Sequence, residues 1–184
     1  MILQYWQVND IATLQYNGIV IIETRIVGEL QMKGFQIRRL SSDEDYPMPL
    51  LLLADPSQEV VESYISRGDC FVAELNDQVV GVYVLIETRP QTVELVNVAV
   101  TAEEQGKGYG KQLVLHAIEK ARSKGYKVIE IGTGNSSVGQ LALYQKCGFR
   151  ICGVDRDFFT LHYLEPIYEN GIQCRDMIRL GIKL

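Results

Sequence analysis

The sequence predicts a mixed α+β fold: a mostly antiparallel central sheet flanked by helices, with one strand–helix–strand crossover. Three observations predict it. Three β-branched runs, Cys70–Leu75, Val79–Glu87 and Thr92–Val100, follow one another with only short breaks at Asn76-Asp77 and Arg89-Pro90, the pattern of an antiparallel meander. A glycine-containing segment then leads from the third run into an amphipathic helix over Gly108–Lys124 and a new strand at Lys127–Ile131, the pattern of a βαβ unit. The chain has 184 residues, 47% of them hydrophobic and 22% charged. That composition is ordinary for one folded domain with a core of its own.

Residues 1–31 are set apart as an N-terminal extension, and 32–184 as the domain. Gly18–Val27 is apolar and β-branched but has no evident partner in the sequence. An added hairpin and a disordered extension both remain open, and Met32 offers an alternative start. Phe35–Leu40 is the first strand of the domain. Ser41–Asp45 carries short polar side chains that can cap a helix, although Pro47 and Pro49 interrupt what would follow. Pro56 opens a second helix, with Val60, Val61, Tyr64 and Ile65 at helical spacing, ending at Gly68-Asp69. After the meander, the long helix places Leu113, Ala117 and Ala121 on one stripe and stops at Gly125. Thr133–Ser137 reads as a polar loop, Val138–Lys146 as a short helix stopped by Gly148, and Phe149–Val154 and Met177–Leu180 as the last strands. Asp155–Asp176 mixes acids with aromatics and reads as a solvated loop with a few core anchors.

The charge balance excludes some functions. With 18 basic and 23 acidic residues the formal net charge is −5, which disfavours nucleic acid as a partner. No stretch approaches the roughly 18 apolar residues that span a bilayer. No Lys or Arg precedes Arg25, so a basic leader segment is missing. The chain reads as cytoplasmic, with no membrane partner. Cys70, Cys147, Cys152 and Cys174 show no CxxC spacing, and His116 and His162 stand apart from them. No metal site is expected, and the cysteines read as free thiols. His116, in mid-helix, reads as a packing or surface residue.

The most informative segment runs from Asn97 to Lys111. A strand enters a loop with Gly106, Gly108 and Gly110, and the loop enters a helix. Free amides at a helix start, glycines that let a ligand approach, and Lys107 and Lys111 together suit a phosphate or pyrophosphate. Two familiar phosphate loops fail. Walker A would need glycine at Gln105 and Ser or Thr at Gln112, and G-x-G-x-x-G would need glycine at Lys111 or Leu113.

What fits is Q-x-x-G-x-G, as Gln105, Gly108 and Gly110. This resembles the acyl-CoA pyrophosphate loop of the GNAT acetyltransferase superfamily, which follows a strand ending in a run like Val98-Ala99-Val100. The helix after Asn135 carries Leu143–Phe149, with Tyr144 four residues before Gly148-Phe149, and resembles that superfamily's second signature. The likeness covers roughly Gly34–Val154 well and the tail loosely. It implies a GNAT-like sheet with a βαβ acyl-CoA-binding core, and an N-acetyltransferase that uses acetyl-CoA as cosubstrate without a metal. It further implies that Val98 and Val100 pair with the pantetheine arm like an added strand. Amides from Gln105, Gly106, Lys107, Gly108, Tyr109, Gly110 and Lys111 would hold the pyrophosphate. A strand bulge at Val98 or Ala99 would offer an amide to the thioester oxygen. Asn135 would bond the pantetheine, Tyr144 would protonate the leaving thiolate, and Glu94 would be the base. Read from residues alone, Tyr144 also suits packing beneath Phe149, Asn135 a turn, and Glu94 a surface strand, since alternation does not choose the face. The resemblance implies a small-molecule primary amine as acceptor, with a protein or peptide amine, or a non-catalytic acyl-CoA-binding module, as the alternatives. In that superfamily the tail shapes the acceptor site or a homodimer contact.

Overall fold

The computed structural model describes the strands at 5–8, 11–16 and 19–24 and all of residues 34–184. It divides into two compact units, Met1–Phe35 and Gln36–Leu184. In the first, Tyr5–Val8 (β1), Ile11–Tyr16 (β2) and Ile19–Thr24 (β3) form an antiparallel sheet in that order, with Thr13 opposite both Trp6 and Ile22. The apolar run supplies β3. Gly18, Arg25–Val27 and Met32 lie outside the described residues.

The second unit is built on a seven-stranded sheet. Its strands are Phe35–Arg39 (β4), Asp69–Leu75 (β5), Gln78–Arg89 (β6), Thr92–Val100 (β7), Val128–Gly134 (β8), Arg150–Asp155 (β9) and Met177–Lys183. The last is β12, because Ile167–Glu169 (β10) and Ile172–Cys174 (β11) form a separate hairpin before it. The order is β4-β5-β6-β7-β8-β12-β9. β7 and β8 are parallel, as the crossover requires, and the pairs β5–β6, β6–β7, β8–β12 and β9–β12 are antiparallel. The helices are Met48–Ala54 (α1), Gln58–Ile65 (α2), Tyr109–Ser123 (α3), Val138–Lys146 (α4) and Phe158–His162 (α5).

Local chemistry accounts for these elements. Asn76 and Asp77 both take positive φ, 50° and 63°, the two left-handed residues of a tight hairpin turn. The Ser57 hydroxyl accepts from the Val60 amide and caps α2, with Pro56 one residue before the cap. Ser41–Asp45 is a turn and starts no helix: the Glu44 carboxylate accepts from the Ser41 amide at 2.9 Å and pairs with Arg38 at 2.7 Å. α1 begins only after Pro47, its N-cap, and takes Pro49 into its first turn, where the missing N–H breaks no intrahelical bond.

Two predicted segments differ more. Thr133-Gly134 is extended because β12 pairs with it, Ile178 opposite Thr133 and Met177 opposite Gly134. The tail between β9 and β12 is the short helix α5 and the β10–β11 hairpin, although several of its apolar side chains, Leu161 and Leu164 among them, are exposed.

The sheet is covered on both faces. On one, Leu51, Val61 and Ile65 of α1 and α2 pack with Val72, Val82 and Val84. On the other, Leu113 of α3 comes down over Gly81, where an added Cβ would sit 3.0 Å from it. There Phe71 stacks on Tyr83 with centroids 4.7 Å apart, and the Tyr83 hydroxyl lies 2.7 Å from His116 Nδ1. His116 is thus a packing residue with a satisfied ring nitrogen. No described helix is long and apolar enough to cross a membrane. All four cysteines are free, with only Cys152 exposed.

A chain beginning at Met32 is expected to fold and to keep the full-length melting temperature, read by thermal unfolding. A marked fall would show that residues 1–31 contribute to the stability of the domain.

Candidate active site

The site begins with a break in strand register. β7 pairs with β8 only from Thr92↔Val128 to Leu95↔Ile131. On its other side the pairing steps from Leu85↔Leu95 to Val84↔Asn97, so Val96 is an extra residue, a β-bulge. Beyond it β8 keeps its pairing to β12 on its far edge, with Gly132 opposite Arg179, but no longer pairs with β7, and β7 runs on with β6 alone. The bulge lies at Val96, two or three residues before the positions expected from the sequence.

The alternation of an antiparallel ladder decides which groups face this opening. The Thr101 amide donates to the Val80 carbonyl at 2.9 Å, so the Val82–Ala99 pair is also hydrogen-bonded and Ala99 faces β6. The pairs Tyr83–Val98 and Gly81–Val100 alternate with these, so the backbone groups of Val98 and Val100 face the opening. The Gln105 side chain folds back and donates to the Val100 carbonyl at 3.0 Å, which joins the glycine loop to the end of β7.

The loop passes through a 3-10 turn at Ala102–Glu104 and is exposed from Gln105 to Gly108. Gly106 and Gly108 have φ of 76° and 93°, and a Cβ on either would meet nothing within 4 Å. Their constraint is therefore backbone conformation, where an L side chain is strained. Gly108 caps α3 with no side chain to satisfy the first amides, and no acid lies in the first turn. The amides of the first turn and their positive dipole end, beside Lys107 and Lys111, suit an anion. Lys107 is paired with Glu104 at 3.0 Å. Tyr109 is buried, and Gly110 lies against Leu143 of α4 and Val100 of β7.

Tyr144 on α4 is 5% exposed and tilts against Phe149 at a centroid distance of 6.2 Å. Burial pushes its phenol well above the usual tyrosine range, and the Cys147 thiol raises it further. It stays protonated at physiological pH and keeps a proton to donate.

Glu94 lies opposite Ile86, whose side chain belongs to the α1–α2 core, so the carboxylate is on that face of the sheet. Its side chain is 18% exposed. Burial raises its pKa, Arg179 opposes that, and Glu130 adds to it. The Arg179 Nη1 donates to Glu94 Oε1 at 2.7 Å, and Nε donates to Asp155 at 2.6 Å. The sequence reasoning missed Arg179, which is 85 residues from Glu94 and shows no local signal.

On the same face Asn97, 2% exposed, donates to the Leu51 carbonyl at 3.0 Å and the Tyr64 hydroxyl at 2.9 Å. The Tyr163 hydroxyl donates to Asp55 at 3.1 Å and ties the tail to the end of α1. Burial raises the pKa of Asp55 and pushes Tyr64 up to about 12. Asn135 spends its side chain on the tail: Nδ2 donates to the Gln173 carbonyl, and Oδ1 accepts from the amides of Arg175 and Asp176 at 2.7 and 2.9 Å. Ser136 and Ser137 donate to Glu169 of the β10–β11 hairpin. Among the described residues no group of His, Cys, Asp and Glu is arranged to hold a metal.

A chain with a strand opened on one edge and a helix-start amide cradle at its end has clear relatives among known proteins. The sequence profile described as the Acetyltransferase (GNAT) family matches residues 34–149. The chain belongs to the GNAT family. An uncharacterized N-acetyltransferase of Bacillus subtilis (strain 168), YvbK, is 58% identical over 155 residues, covering 84% of this chain and 99% of the relative. An acetyltransferase from that species, solved in complex with CoA, superposes with a TM-score of 0.78 at 59% identity, over 82% of this chain and 99% of its own. A GNAT family acetyltransferase from Elizabethkingia anophelis with acetyl-CoA bound gives a TM-score of 0.81 at 46% identity, with the same coverage of both chains. This GNAT domain is an acetyl-CoA-dependent N-acetyltransferase.

Acetyl-CoA is expected to raise the melting temperature, because a ligand of the native state stabilises it by mass action. Gly108→Asp should abolish the increase by setting a carboxylate at the amide cradle. No change in the wild-type protein at millimolar acetyl-CoA would contradict the loop's role.

Proposed function

We propose that the enzyme transfers the acetyl group to a primary amine of a small molecule, by direct attack of the amine on the thioester. The observation that carries this reading is the opening beside Val98 and Val100, with Glu94 on one face of the same strand and the glycine cradle at its end. Acetyl-CoA supplies the acetyl group as an activated thioester. Amides of Gly106–Lys111 and the two lysines hold its pyrophosphate. Val98 and Val100 receive the pantetheine arm as an added strand, and the Val98 amide, which faces the opening while that of Ala99 does not, polarises the thioester carbonyl. Glu94 takes a proton from the acceptor ammonium, the neutral amine forms the new C–N bond at the thioester carbonyl, and the Tyr144 hydroxyl donates to the sulfur as the C–S bond breaks, its own proton being replaced by the second one that the nitrogen sheds. Asn135 acts through the tail that it holds.

Two features support a small cationic acceptor. The Tyr163–Asp55 bond bridges the tail to α1 and favours an enclosed acceptor site over an open groove for a polypeptide. Glu94, Asp55 and Asp155 are acids on that side, and Phe158 and Tyr163 are aromatic, a combination suited to an amine cation. A panel of amines assayed with acetyl-CoA and a thiol reagent tests the reading, since released CoA reports turnover with any acceptor. Turnover of peptide amines in preference to small amines would contradict the acceptor class.

Tyr144→Phe keeps the ring and removes the hydroxyl. It is expected to lower kcat by roughly ten- to ten-thousand-fold with acetyl-CoA affinity nearly unchanged. Full turnover would remove the acid assignment. Glu94→Gln should depress the rate most at low pH, where the amine is protonated, and less at alkaline pH. Because burial raises the Glu94 pKa, the acid limb of the wild-type profile should lie above the ordinary glutamate value of about 4.3. A defect that does not shrink as pH rises would leave Glu94 with substrate positioning alone.

A further inference from the structure

We propose that Arg179 is a positioning residue for the base: tethered by Asp155, its guanidinium reaches across β8 to fix the Glu94 carboxylate beside the β7–β8 opening and hold it in the charged form. The inference rests on the assignment of Glu94 as the base.

The sheet is built to let this side chain cross it. Arg179 lies in the middle of β12, and its partners on both neighbouring strands are glycines, Gly132 on β8 and Gly153 on β9. A Cβ at Gly132 would stand 3.4 Å from Arg179 Nη1 and 2.6 Å from Met177 Sδ. A side chain at that position would fill the path from β12 to β7. That path spans two strand spacings, roughly 9–10 Å, which an extended arginine and a glutamate cover only by reaching toward each other. The guanidinium then uses separate nitrogens, Nε to Asp155 at 2.6 Å and Nη1 to Glu94 at 2.7 Å, and lies 5.7 Å from the centroid of the Phe158 ring. A fixed fork of donors can hold two carboxylates in set directions, which the single ammonium of lysine cannot.

The chemistry needs such a holder. A carboxylate withdrawn from water drifts toward its neutral form, and a neutral Glu94 cannot take a proton. The charged groups that act on it are Arg179 from β12, Glu130 from β8 and Arg89 from β6. Arg89 is itself paired with Glu130 at 2.5 Å, and Asp155 of β9 shares the charge of Arg179. Arg179 is therefore the cation that decides the state of Glu94, and Asp155 keeps it in place.

The test follows Glu94 in two ways in the full-length protein: the acid limb of kcat at saturating acceptor, and carboxyl NMR titration of glutamate-labelled protein, with the Glu94 signal assigned by its loss in Glu94→Gln. Arg179→Met and Arg179→Gln should each move both readouts upward by about 1–3 on the pH scale, the usual influence of a close opposite charge on a carboxylate. Below the displaced limb the rate should fall tenfold each time the pH drops by one. Arg179→Lys should return the titration most of the way to its wild-type position while recovering kcat only in part, because the charge returns without the second directed donor. Arg179→Gln and Arg179→Lys keep a polar chain of similar length, so the comparison survives if Arg179→Met fails to fold. If Glu94→Gln removes the limb but neither neutral variant moves it, Arg179 is merely structural and the inference falls alone. If Glu94→Gln leaves rate and limb unchanged, the base assignment falls and takes the inference with it.

Discussion

One surplus residue in β7 sets the arrangement of the whole site. Without Val96 the strand would run in register between β6 and β8 to its end, and its amides would be consumed by the sheet. With it, β8 parts from β7 after Ile131 while staying paired to β12 on its far edge, and the last residues of β7 keep a partner on one side only. A bulge disrupts the ladder, and here it lies under the α1–α2 layer of the core. Asn97, the next residue, holds that layer in place through the Leu51 carbonyl and the Tyr64 hydroxyl. Its Oδ1 meets no protein hydrogen-bond donor among the described residues.

The remaining parts serve this opening. The glycine loop follows directly from the strand that was freed, and Gln105 fastens it to Val100. The insertion of β12 between β8 and β9 brings Arg179 within reach of Glu94 and carries the tail back over the Asn135 loop. The tail is tied at several points, by Asn135, by Glu169 to Ser136 and Ser137, and by Tyr163 to Asp55. A segment that reads as solvated from its charges is ordered because its polar groups find partners far away in the chain.

What could be read in the sequence follows the range of the interactions. The meander, the long amphipathic helix and the Q-x-x-G-x-G loop are written in neighbouring residues, and each forms close to where its pattern places it. The mixed sheet and the family follow from them. The bulge lies away from the expected positions because Val96, Val98 and Ala99 are all apolar residues of one strand-like run, and only the partner strands reveal which residue is surplus. Glu94 could be located but not oriented, since its face depends on pairing with Ile86. Asn135 looked like a turn or ligand residue, and its actual partners lie near residue 175. Arg179, Gly132 and Gly153 are individually unremarkable and acquire meaning only when β12 is set between two strands that precede it in the chain.

The central claim is that the edge of β7 beyond the bulge is the seat of the pantetheine arm. Residue-resolved amide hydrogen exchange, with and without acetyl-CoA, measures it most directly. The ladder predicts that Ala99, whose amide faces β6, is protected in both states, whereas the amides of Val98 and Val100 exchange readily in the free protein and become protected when acetyl-CoA binds. Binding that leaves Val98 and Val100 unchanged, or equal protection of all three amides in the free protein, would contradict the account.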